Sequence, residues 1–255
     1  MKKNWIWAVA CVLLACVLVS CTTKNMEQQK QISEKTRMLG EAYLRDQRYQ
    51  EALREFLKAE EIYANDHLLH DDLGLVYLAL GRRERAIRHF KKALEISPDY
   101  TPARNNLGNA YAAQKDWDKA IEQYKIASSN LLYATPYYPL ANIGFVYYQQ
   151  KKYDLAETYY RKALRAKRDY VGALHGLGRT YMATGRVDDA IEMLEKAIEI
   201  APDAAFVHYD LANAYRQKGD YEKAHTLYLK VAELQPDSEL ADKAKQDARK
   251  IEKLY

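Results

Sequence analysis

The sequence has little cysteine, and the positions of its cysteines limit the kind of fold that the chain can form. All three lie near the amino terminus, at Cys11, Cys16 and Cys21. The remainder of the chain has none, so its fold requires no disulfide bond, even in an oxidising compartment. An excess of charge is also lacking, since 39 basic and 35 acidic side chains give a formal net charge of +4. That balance does not indicate a nucleic-acid-binding protein.

Sequence signatures of catalysis are lacking as well. The sequence contains no nucleophile elbow, no HExxH motif and no Walker motif. The glycines between residues 172 and 178 imitate a phosphate-binding loop, but no strand precedes them, so close helix packing explains them better. His67 and His70 have a spacing compatible with a metal, yet no third and fourth ligand are evident, and we expect both to be solvated. The sequence therefore predicts a protein without enzymatic activity, cofactor, metal site or small-molecule substrate.

The amino terminus predicts export to the cell envelope. Lys2 and Lys3 precede an unbroken apolar run from Trp5 to Val19. This run is shorter than the roughly 20 residues that span a bilayer as a helix, so a cleaved signal peptide over residues 1–20 is favoured. The end of the run, Leu-Val-Ser-Cys, resembles the bacterial lipoprotein signal. The resemblance implies that Cys21 is the lipid-attachment site and the first residue of the mature protein.

Two alternatives to this signal remain open. Leu13-Leu14-Ala15-Cys16 is a rival lipoprotein box, and the segment can also be an ordinary signal peptide or a short uncleaved anchor. Thr22, and not aspartate, follows Cys21, and the resemblance to lipoproteins then implies an outer-membrane location facing the periplasm. The polar residues 21–32 are expected to form a lipidated, flexible tether before the first helix.

A 34-residue repeat dominates the rest of the chain. Glycine recurs in one register, with a two-residue shift in the fourth copy, and a tyrosine follows three positions later. The glycines are Gly40, Gly74, Gly108, Gly144 and Gly178, with Ala212 in the sixth copy, and the tyrosines are Tyr43, Tyr77, Tyr111, Tyr147, Tyr181 and Tyr215. Each copy continues with an alanine, a bulky residue four positions on, and a small residue three further on. Small residues let two antiparallel helices approach closely, and the bulky ones fill the space between helix pairs.

This pattern resembles the tetratricopeptide repeat (TPR), and the resemblance covers residues 33–238. It implies an all-α fold, an α-solenoid of six TPR helical hairpins plus a C-terminal capping helix. The copies begin near Ser33, His67, Thr101, Tyr137, Val171 and Ala205, and Pro98, Pro202 and Pro236 are expected to end second helices. Residues 239–255 are predicted to form the capping helix, with Ser238 as its N-cap and one small apolar stripe.

The two additional residues that displace the fourth copy lie within Ser128–Pro136, at the end of the third. An insertion of this kind either lengthens a turn or forms a loop that carries contacts. Together with Leu140-Ala141-Asn142-Ile143-Gly144, it resembles the lengthened third repeat of the type IV pilus biogenesis TPR lipoproteins, the pilotins. Those proteins also have a lipoprotein signal, a short tether and six repeats. The resemblance implies a role in the assembly or outer-membrane localisation of the type IV pilus secretin.

The binding surface follows from the repeat geometry. In TPR hairpins the first helix lines the concave face, and offsets of seven and ten residues share one helical stripe. The predicted groove for a protein partner is apolar with added amides and consists of Leu68, Leu75, Leu78, Asn105, Asn109, Tyr138, Asn142, Phe145 and Tyr148. The alternative is that these side chains are ordinary core.

Three functions are compatible with these patterns. The first is a non-enzymatic envelope scaffold that serves the pilus secretin. The second is a general periplasmic TPR adaptor for peptidoglycan or exopolysaccharide machinery, and the third is an enzyme of unknown type. The sequence favours the first, with a protein partner, a membrane contact through the N-terminal lipid, and no nucleic acid.

Overall fold

The computed structural model describes residues 25–130, 132–252 and 254. Within these ranges every element of regular secondary structure is an α-helix, which confirms the predicted all-α class. The helices are α1 (residues 25–45), α2 (Tyr49–Ile62), α3 (His67–Ala79), α4 (Arg83–Ile96), α5 (Thr101–Ala113), α6 (Trp117–Ser129), α7 (Tyr137–Gln149), α8 (Tyr153–Ala166), α9 (Val171–Ala183), α10 (Val187–Ile200), α11 (Ala205–Lys218), α12 (Tyr221–Leu234) and α13 (Glu239–Ile251). They form six successive helical hairpins followed by one further helix. None of the described helices is both long and apolar enough to cross a membrane.

Five of the predicted repeat starts coincide with helix starts, at His67, Thr101, Tyr137, Val171 and Ala205. The second helices that precede Pro98, Pro202 and Pro236 end at Ile96, Ile200 and Leu234. Each therefore stops two residues before its proline, as the missing N–H and the fixed φ require. The insertion lengthens the connection between α6 and α7, where the amide of Leu132 donates to the Asn130 side chain at 3.0 Å.

The start of the first helix differs from the sequence prediction. Residues 25–32 were expected to belong to a flexible tether, but they are the first part of α1. The expectation was wrong there because this stretch, Asn-Met-Glu-Gln-Gln-Lys-Gln-Ile, consists mostly of good helix formers even though it lacks the repeat pattern. The proposed signal peptide and Cys21 lie outside the described residues.

The chain divides into two compact units, with the boundary between Gln114 and Lys115. In the unit that ends at Gln114, α3 packs against α2, α4 and α5. The Ser33 hydroxyl of α1 donates a buried hydrogen bond of 2.9 Å to the Ala59 carbonyl at the end of α2. Phe56 and Phe90 are fully buried at the bulky position of their repeats, which confirms the role that the pattern assigned to them.

In the unit that begins at Lys115, each helix from α6 to α13 packs on the next along the chain, and α9 also contacts α7 and α11. The bulky positions are again buried, at Tyr124, Tyr160, Leu194 and Tyr228. At the end of the chain, Ser238 caps α13 as predicted by accepting a 3.1 Å hydrogen bond from the Ala241 amide. The helix α13 packs on α12, and Ala241, Ala244, Ala248 and Ile251 of its predicted apolar stripe are buried, whereas Leu254 is 56% exposed.

The hairpin turns share one backbone conformation. In every hairpin one turn residue has a positive φ, and the six positions follow the repeat: Gln47, Gly81, Lys115, Lys151, Gly185 and Gly219. This left-handed conformation suits glycine and strains other residue types. Three of the six hairpins therefore carry a strained residue at the turn.

Candidate functional site

The best-formed part of the predicted groove lies on α7. Tyr138, Asn142, Phe145 and Tyr148 are spaced at intervals of three and four residues, so they share one face of this helix. Tyr138 is 42% exposed and Phe145 is 43% exposed. Large aromatic side chains with that much exposure are not core residues, so the alternative of ordinary core packing is wrong for these two positions.

Three of these residues line a cavity of about 280 Å³ beside α9. Its wall is contributed by the first helices of the fourth and fifth hairpins, with one ring from α8 and one residue that precedes α9. The lining residues are Ala141, Asn142, Phe145, Tyr148, Tyr160, Tyr170, Gly172, His175, Gly176 and Arg179. The cavity is large enough for one amino-acid side chain of a partner, and its lining combines four aromatic rings with polar side chains.

Two glycines on α9 make this space. Gly172 and Gly176 are one helical turn apart and face the cavity without side chains. A Cβ at Gly176 would lie 2.3 Å from Cζ of Tyr160, and one at Gly172 would lie 2.8 Å from the Tyr170 hydroxyl. Close packing therefore explains the glycines, as predicted, but it also places two aromatic rings at the cavity wall. The sequence reasoning missed Tyr160 and Tyr170, and the glycine pair was the signal that could have found them.

Polar groups stand at one side of the cavity. The guanidinium of Arg179 lies over the Tyr148 ring, 4.9 Å from its centroid. Arg179 Nε also lies 3.6 Å from Oδ2 of Asp210 on α11, and His175 Nε2 lies 2.7 Å from the same oxygen. These contacts hold Arg179 and His175 in place beside the aromatic wall. The site thus combines aromatic side chains with a polar rim, in which the Arg179 guanidinium and the Asp210 carboxylate carry opposite charges.

The hydroxyls of Tyr160 and Tyr170 remain neutral at physiological pH. Burial raises the pKa of Tyr160 above its ordinary value. Burial also raises the pKa of Tyr170, and the neighbouring Tyr138 and Tyr137 reinforce the increase. Each neutral hydroxyl can donate one hydrogen bond and accept others. The arrangement is suited to binding, because it offers apolar contact and hydrogen bonds in a partly enclosed space.

The residues predicted for the groove in the first unit are arranged differently. Leu68, Leu75 and Leu78 are partly exposed on α3. Leu68 lines a second cavity, of about 340 Å³, whose other walls are largely polar or charged: Lys30, Glu34, Arg37, Tyr63, Asn65, Asp66 and His67. The expectation of an apolar groove is therefore wrong around Leu68, because α1 and the turn before α3 place charged side chains beside it.

The asparagines of α5 also depart from the prediction. Asn105 is buried, with 9% exposure, so it is not part of an open groove. The side-chain amide of the adjacent Asn106 donates a hydrogen bond of 3.0 Å to the Asp71 carboxylate. This amide therefore makes a hydrogen bond within the protein. Burial raises the pKa of Asp71 to about 6, although that hydrogen bond opposes the shift. Asn109 is partly exposed.

The histidines of α3 were also predicted incorrectly. His70 is buried, with 3% exposure, whereas the sequence suggested a solvated side chain. Its ring is enclosed because α2 and α4 both pack against α3. His67 is partly buried and lies edge-on to the Tyr100 ring, with 4.8 Å between centroids.

Comparison with family models identifies the repeat. A tetratricopeptide repeat model matches residues 32–99, 132–203 and 169–237. A second tetratricopeptide repeat model matches residues 77–129. The matches cover most of the chain and coincide with the six hairpins.

Individual relatives share either part of the sequence or the fold. Anaphase-promoting complex subunit 3 of Schizosaccharomyces pombe is 32% identical over 98 residues, which are 38% of this chain and 15% of that protein. The chain thus spans a small fraction of the length of this curated relative.

Two solved structures match over nearly their whole length. The crystal structure of PilW, described as a widely conserved type IV pilus biogenesis factor, has a TM-score of 0.74 and 24% identity, over 84% of this chain and 98% of that one. The structure of Pseudomonas aeruginosa pilF has a TM-score of 0.70 and 21% identity, over 86% and 99%. At these identities the similarity establishes a shared fold.

Proposed function

Because this chain belongs to the tetratricopeptide repeat family, we propose that it is a non-enzymatic scaffold that binds a protein partner and assists the assembly or outer-membrane localisation of a type IV pilus secretin. The scaffold role follows from the fold, which presents binding surfaces on stacked hairpins. The secretin as partner, the lipid anchor and the envelope location are the specific parts of the proposal.

The observation that carries the proposal is the cavity between α7 and α9. Tyr138 and Phe145 remain 42% and 43% exposed next to a space of about 280 Å³. Exposed aromatic side chains around a pocket are typical of the anchor points of protein interfaces. We expect a partner segment to insert one apolar side chain over Gly172 and Gly176, and to accept hydrogen bonds from the polar groups at the rim.

The pilus pathway is favoured by two further observations. The match covers 98% of the PilW structure. The similarity therefore extends over the full set of repeats and is not limited to one pair of repeats. The insertion that resembles the pilotins is a lengthened connection between α6 and α7, and α7 is the helix that carries the exposed aromatics. The feature that separates this chain from a regular repeat array therefore adjoins the candidate site.

Membrane attachment forms the second part of the proposal. We infer that the chain is cleaved before Cys21 and carries lipid there, as the Leu18-Val19-Ser20-Cys21 sequence indicates. More than one acyl chain is needed for stable anchoring, and the lipoprotein modification would supply them. Replacement of Cys21 by serine should release the protein from the membrane fraction while leaving the repeats folded.

The decisive experiment is complementation of a deletion strain. The wild-type gene should restore pilus-driven motility and the heat-stable secretin multimer. Phe145→Ser and Gly172→Leu, which remove an anchor and fill the cavity, should restore neither at equal protein level. Leu229→Ser is the matched control, because Leu229 is 44% exposed on α12, outside the cavity lining.

The outcomes separate the candidate functions. Normal multimers in the deletion strain, together with altered cell shape or polysaccharide, would reject the secretin role and favour the general envelope adaptor. Loss of multimers in the deletion strain with full rescue by both cavity variants would retain the pilus role but reject this cavity as the binding site.

A further inference from the structure

A cluster of potential metal ligands lies in the first unit, away from the cavity described above. Glu60 of α2, His70 of α3 and His89 of α4 each offer one ligand atom to this cluster. The Nδ1 atoms of His70 and His89 are 3.1 Å apart, and Oε1 of Glu60 lies 3.7 Å from Nδ1 of His70. All three ligand atoms lie within 4.8 Å of one another.

The tautomer of His70 is determined by its other nitrogen. Nε2 of His70 lies 2.9 Å from the carbonyl oxygen of Ala64, which can only accept a hydrogen bond. Nε2 therefore carries the proton, and the neutral ring presents the lone pair of Nδ1 to His89 and Glu60. A histidine whose second nitrogen donates to a backbone carbonyl is the usual arrangement of a metal ligand, because this bond orients the ring and raises its basicity.

The ring of His89 is also held in place by a neighbouring side chain. It stacks on Tyr77 with 5.2 Å between centroids. This stacking limits rotation of the ring and keeps its Nδ1 beside Nδ1 of His70.

We propose that Glu60, His70 and His89 form a binding site for one divalent transition-metal ion of the zinc class. Zinc bonds to nitrogen and carboxylate oxygen of about 2.0–2.2 Å place tetrahedral ligand atoms roughly 3.3–3.5 Å apart. The separations of 3.1 and 3.7 Å bracket that value. Two histidines and one glutamate leave a fourth position for water or a group of a partner.

The charges around the cluster set the expected strength of the site. Glu60 supplies one negative charge, and its side chain is 30% exposed, which gives a metal ion a path from solvent. Arg85 and Arg88 of α4 place positive charges near the cluster, and these disfavour a bound cation. We therefore expect reversible binding and not a permanently held structural ion.

The site is independent of the pilus proposal and would connect three consecutive helices. Binding should stabilise the first two hairpins, because α2, α3 and α4 each supply a ligand that the unfolded chain does not hold in place. Zinc-dependent protection of this unit against unfolding is thus expected even without any partner.

The test uses the full-length protein in detergent with any affinity tag removed. Zn²⁺ is titrated in competition with a chromophoric chelator, and Co²⁺ is used to report ligand number through its visible absorption. We expect one equivalent per chain and an absorption spectrum of four-coordinate Co²⁺. Glu60→Gln and His89→Gln should each weaken binding by roughly 10-fold or more.

His67→Gln is the matched control. His67 lies three residues from His70 but contacts the Tyr100 ring instead of the cluster, so this variant should bind zinc as the wild type does. Glu60→Gln changes a partly exposed side chain, so it should remain folded even if His89→Gln does not, and circular dichroism checks both. Absence of stoichiometric binding, or affinity unchanged in folded Glu60→Gln, would overturn the proposal. So would an equal loss in His67→Gln.

Discussion

The hydroxyl of Tyr181 donates a hydrogen bond of 2.9 Å to Oε1 of Glu157. Tyr181 is the tyrosine of the repeat motif on α9, and Glu157 belongs to α8 of the preceding hairpin. Arg186 donates to the other carboxylate oxygen at 3.0 Å, and its guanidinium lies 4.1 Å from the centroid of the Tyr181 ring. The motif tyrosine therefore connects neighbouring repeats through a charged network as well as through packing.

The stability of this network should depend on pH. Burial raises the pKa of Glu157, but hydrogen bonds from Arg161 and Tyr181 and the charge of Arg186 outweigh it and lower the pKa below the ordinary value. A lowered pKa in the folded state stabilises the protein above the unfolded pKa, and this contribution is lost as pH falls through the folded pKa. Glu157→Gln should cost about 1 kcal/mol at pH 7, since the network is partly exposed.

Denaturant unfolding at several pH values checks this expectation. The difference between wild type and Glu157→Gln should shrink as pH decreases below the ordinary glutamate pKa of about 4.3. A difference that stays constant down to pH 3 would show that the carboxylate charge is not involved. Glu192→Gln is a suitable control, because that side chain is 57% exposed and pairs with Lys196 on its own helix.

The turn positions should respond to substitution in opposite directions. Lys151 has φ of +59° and Gly81 has φ of +72°, and a Cβ at Gly81 would have no neighbour within 4 Å. Lys151→Gly relieves backbone strain of roughly 1–2 kcal/mol but raises chain entropy in the unfolded state, so a net gain of about 0.5 kcal/mol is expected. Gly81→Ala should cost about 1 kcal/mol, because only the backbone conformation opposes it. Equal effects of the same sign on the unfolding midpoints would contradict this account.

The residue at the motif-glycine position should be matched in size to the bulky residue that packs against it in the same repeat. A Cβ at Gly74 would lie 2.3 Å from the Phe90 ring, so Gly74→Ala introduces overpacking of about 1–3 kcal/mol that exceeds the helix-propensity gain of about 1 kcal/mol. The sixth repeat already has Ala212 at this position, fully buried. Ala212→Gly should therefore also destabilise, by about 1 kcal/mol. Stabilisation by either substitution in thermal unfolding would show that the position tolerates both residues.

The exposed aromatics should be dispensable for folding. Phe145 is 43% exposed whereas Phe90 is fully buried. Phe145→Ser is expected to cost no more than about 1 kcal/mol, whereas Phe90→Ala should cost about 3–5 kcal/mol. Circular dichroism and denaturant unfolding distinguish the two. Unfolding of Phe145→Ser would mean that this ring is core, and the groove interpretation would fail with it.

The sequence was sufficient for the architecture because the repeat records packing directly. Alanine, a bulky residue and a second small residue recur where helices touch, so the register predicted five hairpin starts to the residue. Ser238 was identified as the cap of α13 for a similar reason, since a cap depends on one side chain and its neighbours along the chain. Residues 25–32 were misassigned because they are helical without showing the repeat.

The candidate sites were less accessible to sequence reasoning. The cavity depends on two missing side chains, at Gly172 and Gly176, and on rings from α8 and from the residue that precedes α9. Asn105 occupies an inner position of its helix but is buried by its neighbours. The ligand cluster combines residues 60, 70 and 89 from three helices. The residues of the cavity and of the ligand cluster do not recur at the repeat spacing. The repeat pattern therefore could not predict that they lie together, and only the folded structure shows it.

If Cys21 carries the proposed lipid, the early start of α1 limits how far the first hairpin can lie from the membrane. Helix is present from residue 25, and four extended peptide units from Cys21 cover at most about 14 Å. Lipid at Cys21 would therefore keep the first hairpin within one helix length of the bilayer surface. Residues 25–32 would act as a rigid spacer of about 12 Å, at 1.5 Å per residue. With lipid at Cys21, the protein would serve as a fixed dock at the membrane and not as a carrier, so its partner would have to come to it.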